Sequence, residues 1–135
     1  MIPKYRAWYK EWKEMGRVGE IRFDLDGSVS VVLFKGNFLD VSGPREKIIF
    51  MQSTGLKDKN GKEIFEGDII TNGQNVMCMK RHNTLGFYIE EKGKVEFIAD
   101  CADLAEFEAD VKEIEDFIEI IGNIYENPEL LEVTE

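Results

Sequence analysis

The sequence predicts a mainly β protein, a small barrel or roll with an N-terminal β-hairpin subdomain and one or two short helices. Short segments with alternating or β-branched side chains recur along the chain, and Asn-Gly and Asp-Gly pairs separate them, as in all-β folds. The 135 residues suit one domain, and 43% hydrophobic residues supply a core. We therefore expect a single domain, with a hairpin portion at 1–45 and a barrel-like portion at 46–135.

The first elements are predicted to form an antiparallel hairpin subdomain. Lys4–Trp8 favours a strand followed by about one helical turn, although the aromatic residues also have helical spacing. We expect Gly16 and Gly19 to end that element. Glu20–Phe34 is predicted to be a hairpin: apolar and charged residues alternate before Asp26-Gly27, which is typical of a tight turn, and Ser28–Phe34 is β-branched and apolar.

The central part of the chain is predicted to be a series of short strands. Gly36 and Ser42-Gly43-Pro44 indicate a loop before them. Asp58-Lys59-Asn60-Gly61 is the strongest turn signal, because Asn-Gly accepts the positive φ of a primed hairpin turn. The predicted strands are Ile48–Ser53, Ile64–Thr71, Val76–Lys80, Gly86–Glu90 and Lys94–Ile98.

The C-terminal part is ambiguous between helix and strand, because its apolar residues have helical spacing but become β-branched toward the end. We expect a helix at Asp103–Lys112 and a strand at Phe117–Tyr125. Asn127-Pro128-Glu129 indicates a further helix start, with Asn as the cap and Pro at the first helical position.

The net charge of −10 is concentrated near the C-terminus. Residues 101–135 hold twelve acidic residues and one basic residue, Lys112, whereas residues 1–22 hold six basic and three acidic residues. Such polarity favours a basic macromolecular partner for the acidic end. The predicted interaction surface comprises Glu113, Glu115, Asp116 and Glu119.

The N-terminal segment offers an alternative surface for nucleic acid. Aromatic and basic side chains alternate there, as on platforms that stack bases and contact phosphates. The residues are Lys4, Arg6, Trp8, Lys10 and Trp12. An aromatic core stripe with one solvated face is the favoured interpretation, and a pI of about 4.7 opposes long-range attraction of a polyanion.

No catalytic or metal-binding pattern stands out. His82 lies in a turn-like context. The chain contains Cys78 and Ser53 as nucleophiles that a histidine could activate, but the local sequence does not resemble that of an activated nucleophile. Cys78, His82 and Cys101 fall short of the four close ligands typical of zinc. We predict no enzyme activity and no cofactor, and keep a hydrolase or metal enzyme built from the acidic cluster as a rival.

The chain lacks an apolar run of the roughly 18–20 residues that span a bilayer, and its start lacks the apolar region of a secretory signal. Two widely spaced cysteines suit a reducing compartment. We expect a cytoplasmic protein without a membrane partner.

Three stretches of the chain carry a recognisable pattern: Met51–Ile70 (MQSTGLKDKNGKEIFEGDII), Lys4–Trp8 (KYRAW) and Ile120–Leu131 (IIGNIYENPELL). In this order they resemble the YopX family of phage and prophage proteins, and Met51–Ile70 carries the most specific resemblance. The resemblance spans nearly the whole chain. It implies an SH3-like barrel with an extra N-terminal portion and an origin in phages or prophages of bacteria, and it transfers no catalytic or binding residue.

Taken together, these observations predict a non-enzymatic phage or prophage accessory protein that binds an unidentified host or phage protein. Nucleic-acid binding is the alternative function. Exposed strand edges and oppositely charged ends also raise self-association as a hypothesis.

Overall fold

The computed structural model describes residues 4–34, 38–43, 47–98 and 104–132. The chain divides into two compact units, Met1–Ser53 and Thr54–Glu135. In the described residues both units are built mainly from antiparallel strands, and the helices belong to the second unit. The predicted mainly β class is therefore confirmed.

The first unit is an antiparallel sheet. Its strands are β1 (Tyr5–Tyr9), β2 (Glu14–Phe23), β3 (Val29–Phe34), β4 (Phe38–Gly43) and the first part of β5 (Ile48–Lys57). They lie in the order β4-β3-β2-β1-β5, so the first strand of the chain becomes an interior strand.

The interior position of β1 explains the burial of its side chains. Ala7 and Tyr9 pack with Val29, Val31 and Ile48 in one hydrophobic cluster. Successive side chains of a strand point to opposite faces, yet Trp8 is also only 8% exposed. Both faces of β1 are therefore covered in the middle of the strand.

Three expectations for this unit need correction. A turn, not a helical turn, follows β1 at residues 10–13, where Lys13 has a φ of 52°. Gly16 and Gly19 lie inside β2 instead of ending an element: Gly16 is paired with Ala7, and the pairing of β2 with β3 shifts register at Gly19. Phe38–Gly43 is a strand and not a loop, because it pairs along its whole length with β3. Gly36 and Pro44 fall outside the described residues.

In its described residues, the second unit contains a five-stranded antiparallel sheet, two helices and a short strand, β6, that pairs with β5. The order of the five strands is β10-β9-β8-β7-β11. The elements are β6 (Glu63–Phe65), β7 (Asp68–Thr71), β8 (Val76–His82), β9 (Gly86–Glu91), β10 (Lys94–Phe97), α1 (Leu104–Phe117), β11 (Glu119–Asn123) and α2 (Glu129–Glu132).

Two predicted boundaries in this unit differ from the structure. The single strand expected at Ile64–Thr71 is two strands, because a turn at Glu66-Gly67 separates them and Gly67 N donates to Met79 O at 2.7 Å. Helix α1 extends five residues beyond its predicted end at Lys112. Its last turns are retained because Ile114 is buried in the core of the unit.

Both sheets are open in the described residues, with β10 and β11 at opposite ends of the second one. The SH3-like barrel therefore stays a prediction, as does the division at residues 45 and 46. No helix in the described ranges is long and apolar enough to cross a membrane.

Candidate functional site

Helix α1 packs on one face of the five-stranded sheet. Its apolar side chains recur with helical spacing at Val111, Ile114 and, just past its end, Ile118. They join the hydrophobic cluster that includes Met77 and Met79 of β8. The opposite side of the helix is consequently left to solvent, and its polar residues are exposed.

Beside this contact lies a groove of about 420 Å³, which is within the usual range for ligand sites. Apolar side chains from the sheet and the helix side line it: Met77, Ile89, Ile98, Ile114 and Ile118. These residues belong to or pack against the core cluster, so the cluster itself supports this apolar lining.

Four carboxylates line the same groove from two sides. Asp110 and Glu113, one helical turn apart, contribute from α1. Glu91 and Glu96 contribute from β9 and β10. Ile89 packs against the cluster that contains Ile114 of α1, so it lies on the face that α1 covers. Glu96 is paired with Ile89, and Glu91 is two residues after it, so both carboxylates lie on that same face. Among the described residues the lining contains no lysine, arginine or histidine, so the formal charge of this described lining is negative.

The loop between β7 and β8 adds carboxamide groups at the groove. Asn72 Oδ1 accepts hydrogen bonds from Gln74 N at 3.0 Å and from Asn75 N at 2.8 Å. Thr71 Oγ1 donates to Asn75 O at 2.7 Å. Because the loop satisfies its own backbone groups, its Asn72, Gln74 and Asn75 side chains are presented from a preorganised turn.

The two aromatic residues of the lining are oriented differently. Phe117, at the end of α1, is 62% exposed. Phe97 is paired with Tyr88, and its ring lies 4.9 Å from the Tyr88 ring and 6.2 Å from the His82 ring. Since Glu96 faces α1, the neighbouring Phe97 ring faces the other side of the sheet. Phe117 is therefore the aromatic ring offered beside the groove.

The structure separates the acidic residues predicted to form one surface. Glu113 lines the groove. Glu115 and Asp116 instead border a shallow recess on another side of α1. Glu119 lies on β11, where its carboxylate is 3.8 Å from Lys59 Nζ and accepts a 3.4 Å hydrogen bond from Asn60 Nδ2. Sequence reasoning missed Glu91 and Glu96 as neighbours of Glu113, because strand pairing and helix docking bring them together. Asp110 lies three positions before Glu113 on α1 and was missed because the predicted helix ended at Lys112.

The N-terminal residues proposed for nucleic acid are divided between surface and core. Lys4 and Lys10 are exposed, and Arg6 is half-buried. Trp8 is buried, whereas Trp12 is 52% exposed. The Trp12 ring packs edge-on against that of the buried Tyr9, with centroids 5.0 Å apart.

Two of the residues weighed for catalysis, His82 and Cys78, make local structural contacts. His82 Nδ1 accepts hydrogen bonds from Thr84 N at 3.1 Å and Leu85 N at 3.0 Å, so it caps the turn after β8. Cys78 is buried, and its thiol faces Met79 O at 3.7 Å. Cys101 is outside the described residues. Within the described ranges no group of three or more His, Cys, Asp or Glu is placed to hold a metal ion.

The turn of the most specific sequence motif has a structural role. Asp58 is 2% exposed, and its carboxylate accepts backbone hydrogen bonds from Asn60 N, Lys62 N and Ile120 N at 2.9, 2.8 and 3.0 Å. Burial acts to raise the pKa of Asp58, but the N–H donors of Ile120, Lys62 and Asn60, together with the charge of Lys62, outweigh it and hold that pKa below its usual value. Lys59 N also donates to Ile118 O at 2.7 Å, so this turn fastens the chain just after α1.

A second motif orders the chain after β11. Asn123 Oδ1 accepts hydrogen bonds from Tyr125 N and Glu126 N, and Asn127 Oδ1 accepts one from Asn123 N at 3.2 Å. The side-chain oxygen of the predicted cap, Asn127, thus turns back toward β11. A Cβ on Gly122 would lie 2.6 Å from that oxygen, so any other residue at this position would force the Asn127 side chain to shift.

Comparisons with known proteins find a matching family and similar solved structures. The sequence model of the YopX family, described as YopX protein, matches residues 4–132. The crystal structure of protein EF1440 from Enterococcus faecalis is similar, with 30% identity, a TM-score of 0.60 and coverage of 97% of this chain and 99% of that chain. The X-ray structure of protein yopX from Bacillus subtilis has 18% identity and a TM-score of 0.49 over 95% of this chain and 97% of that chain. Among curated proteins no match is found.

The fold and the groove define a small, mainly β protein of two compact units with an acid-lined groove in the second. The chain belongs to the YopX family, because the family match spans nearly its whole length.

Proposed function

We propose that this protein is a non-enzymatic protein-interaction module whose groove binds a basic segment of another protein. The observation that carries the proposal is the lining of the groove, which in the described part of the chain combines an apolar patch with four carboxylates and no cationic side chain. A complementary segment presents an apolar side chain to the groove and lysine or arginine side chains to the carboxylates.

Each part of the lining contributes a different term to such binding. Apolar area removed from water stabilises a complex by about 25 cal/mol per Å². The carboxylates of Asp110, Glu113, Glu91 and Glu96 select for positive charge through charge-assisted hydrogen bonds and speed the encounter of the partners. The exposed ring of Phe117 offers a cation–π contact to the lysine or arginine side chains of the bound segment.

The biological setting is part of this proposal. Membership of the YopX family supports an accessory role in phages or prophages, acting in the cytoplasm of a bacterial host on a host or phage protein. The absence of catalysis is likewise proposed, and the use of His82 Nδ1 as an acceptor of two backbone bonds supports it.

Nucleic acid is the less favoured partner. Trp8, one of the two indole rings of the N-terminal surface, is buried and is not presented to a base. The acidic groove repels phosphates. DNA binding is therefore an outcome that the test below distinguishes from peptide binding.

The test is a fluorescence anisotropy titration with a labelled peptide of alternating lysine and leucine. We expect saturable binding that weakens with salt, since screening acts on exposed charges. A peptide with glutamate in place of lysine, and single-stranded and duplex DNA, should give flat curves. Binding of DNA but not of the basic peptide would favour the alternative function.

A matched pair of variants locates the site. Asp110→Asn with Glu113→Gln removes two charges from the groove, whereas Glu115→Gln with Asp116→Asn removes two charges from another side of the same helix. We expect the first pair to weaken peptide binding about tenfold and the second to change it less than about twofold. Equal losses in both would show attraction to general negative charge and contradict the proposed site.

A further inference from the structure

Strand β10 forms one end of the five-stranded sheet, and in the described part of the chain its outer side has no paired strand. The turn before it is tight: Lys92 and Gly93 both have positive φ, at 50° and 84°, and Glu91 is paired with Lys94. Such a two-residue primed turn holds the two strands in a fixed register.

The backbone directions within β10 follow from two contacts. Glu91 and Lys94 flank a two-residue turn, so the backbone groups of Lys94 point toward β9. Two positions past Glu96, Ile98 N donates to Phe87 O of β9 at 3.0 Å. The alternation of an antiparallel ladder then directs the N–H and C=O groups of Val95 and Phe97 to the outer edge.

The side chains of β10 also alternate. Lys94 and Glu96, paired with Glu91 and Ile89, are on the face toward α1. Val95 and Phe97 are on the other face, where they are 49% and 39% exposed. One side of this edge therefore carries a positive and a negative charge two residues apart, and the other carries exposed apolar side chains.

We propose that β10 pairs antiparallel with β10 of a second copy of this chain, with Val95 opposite Val95. In this register Lys94 of each copy lies opposite Glu96 of the other, so two oppositely charged cross-strand pairs form. The outward N–H and C=O groups of the two Val95 residues bond each other, and the exposed apolar strip becomes continuous across the pair. The interface is isologous, as two-fold dimers require.

The neighbouring register with matching faces is disfavoured. It sets Glu96 opposite Glu96 and Lys94 opposite Ile98. Like charges directly opposite each other in an antiparallel pair are destabilising, and opposite charges contribute favourably. Charge complementarity therefore selects both the partner, a second copy, and the alignment centred on Val95.

This surface is independent of the groove test, which alters α1 only, so either proposal can fail alone. The interface is short, below the roughly 1,200 Å² of a standard complex, and we expect a dissociation constant on the order of 100 µM. Glu96 belongs to both the groove and the proposed dimer interface, because it lines the groove and lies opposite Lys94 of the second copy.

Sedimentation equilibrium of the full chain up to about 1 mM tests the proposal. We expect a monomer–dimer equilibrium that weakens with salt. Lys94→Glu and Glu96→Lys alone should each weaken dimerisation at least about tenfold, because each creates two like-charge pairs. The double variant exchanges the charges and should restore the dimer, which a loss of folding cannot do.

Val95→Pro is a second variant that acts on the backbone. Its ring removes an outward N–H and spares the bonds to β9, and proline is tolerated on such an edge. We expect a folded monomer by circular dichroism. A monomeric wild type at 1 mM, or a double variant that stays as weak as either single variant, would overturn the proposal.

Discussion

The N-terminal aromatic segment of the first unit and the acidic groove of the second invite comparison, because the sequence marks both as interaction surfaces. In the first, strand pairing on both sides of β1 buries Trp8 and Tyr9 and leaves Trp12 exposed. In the second, acidic residues from a helix and two strands converge beside an apolar patch.

The difference shows that residue type alone does not define a binding surface. Aromatic side chains pack in a core as readily as they bind a ligand. In β1, pairing with a strand on each side accompanies the burial of the ring. Acidic residues stay at the surface in either case, because burying an unpaired charge is costly. The predicted acidic residue Glu113 is consequently exposed, whereas Trp8 of the predicted aromatic surface is buried.

The largest effect that sharpens this comparison is expected from the two tryptophans. Trp8→Ala should lower the free energy of unfolding by about 3 kcal/mol, as for other buried aromatic truncations. Trp12→Ala should lower it by less than about 1 kcal/mol, because its ring is half exposed. Urea denaturation followed by circular dichroism measures both. Similar small decreases in the free energy of unfolding for the two variants would contradict the burial of Trp8 and with it the comparison.

A somewhat smaller effect tests how the groove is held in place. Asp58→Asn removes the charge that accepts three backbone hydrogen bonds and should cost about 2 kcal/mol at pH 7. The folded-state pKa of Asp58 is lowered, so its contribution is present above the unfolded pKa near 3.9 and is lost as the pH falls through the folded pKa.

The pH profile supplies the control for this variant. Between about pH 5 and pH 2 the wild type should lose stability more steeply than Asp58→Asn, measured by denaturant midpoints at each pH. Asp26 is the matched carboxylate on an exposed turn, where it accepts a hydrogen bond from Ser28 N at 2.9 Å. Asp26→Asn should leave the stability almost unchanged, because its side chain is exposed to solvent. Equal slopes for wild type and Asp58→Asn would contradict the role of Asp58.

The smallest expected effect concerns the turn that joins β9 and β10 at Lys92-Gly93. Lys92 has a φ of 50°, which favours asparagine or glycine over lysine. Lys92→Asn should therefore stabilise the protein by about 0.5 kcal/mol. Thermal unfolding measures the gain, with Lys94→Asn as a control at a neighbouring β position. A loss of stability would mean that Lys92 makes a contribution beyond turn geometry.

Much of the strand pattern was predictable, because alternation and turn residues are local signals. Asp26-Gly27 and Asn60-Gly61 mark turns that the structure contains. The glycines of β2 misled the prediction, since Gly16 faces Ala7 across a ladder and such pairing is not local information. The end of α1 was missed for the same reason: burial of Ile114 against the sheet keeps the helix going past Lys112.

The candidate site was predictable only in part. Glu113 was named from charge density on the acidic segment, but its neighbours Glu91 and Glu96 lie more than fifteen positions away in the chain. Their separation in sequence hides a proximity that antiparallel pairing creates. Glu119 has the same residue type as Glu113 and is instead placed beside Lys59.

The sequence by itself determined the mainly β class, most turns, the family and the concentration of negative charge, because each depends on residue type and local spacing. Only the tertiary structure decided which aromatic rings are buried, which carboxylates share a groove and which strand forms an end of the sheet. Those outcomes depend on contacts between distant segments, whose free energy comes from burial and pairing that no local pattern records.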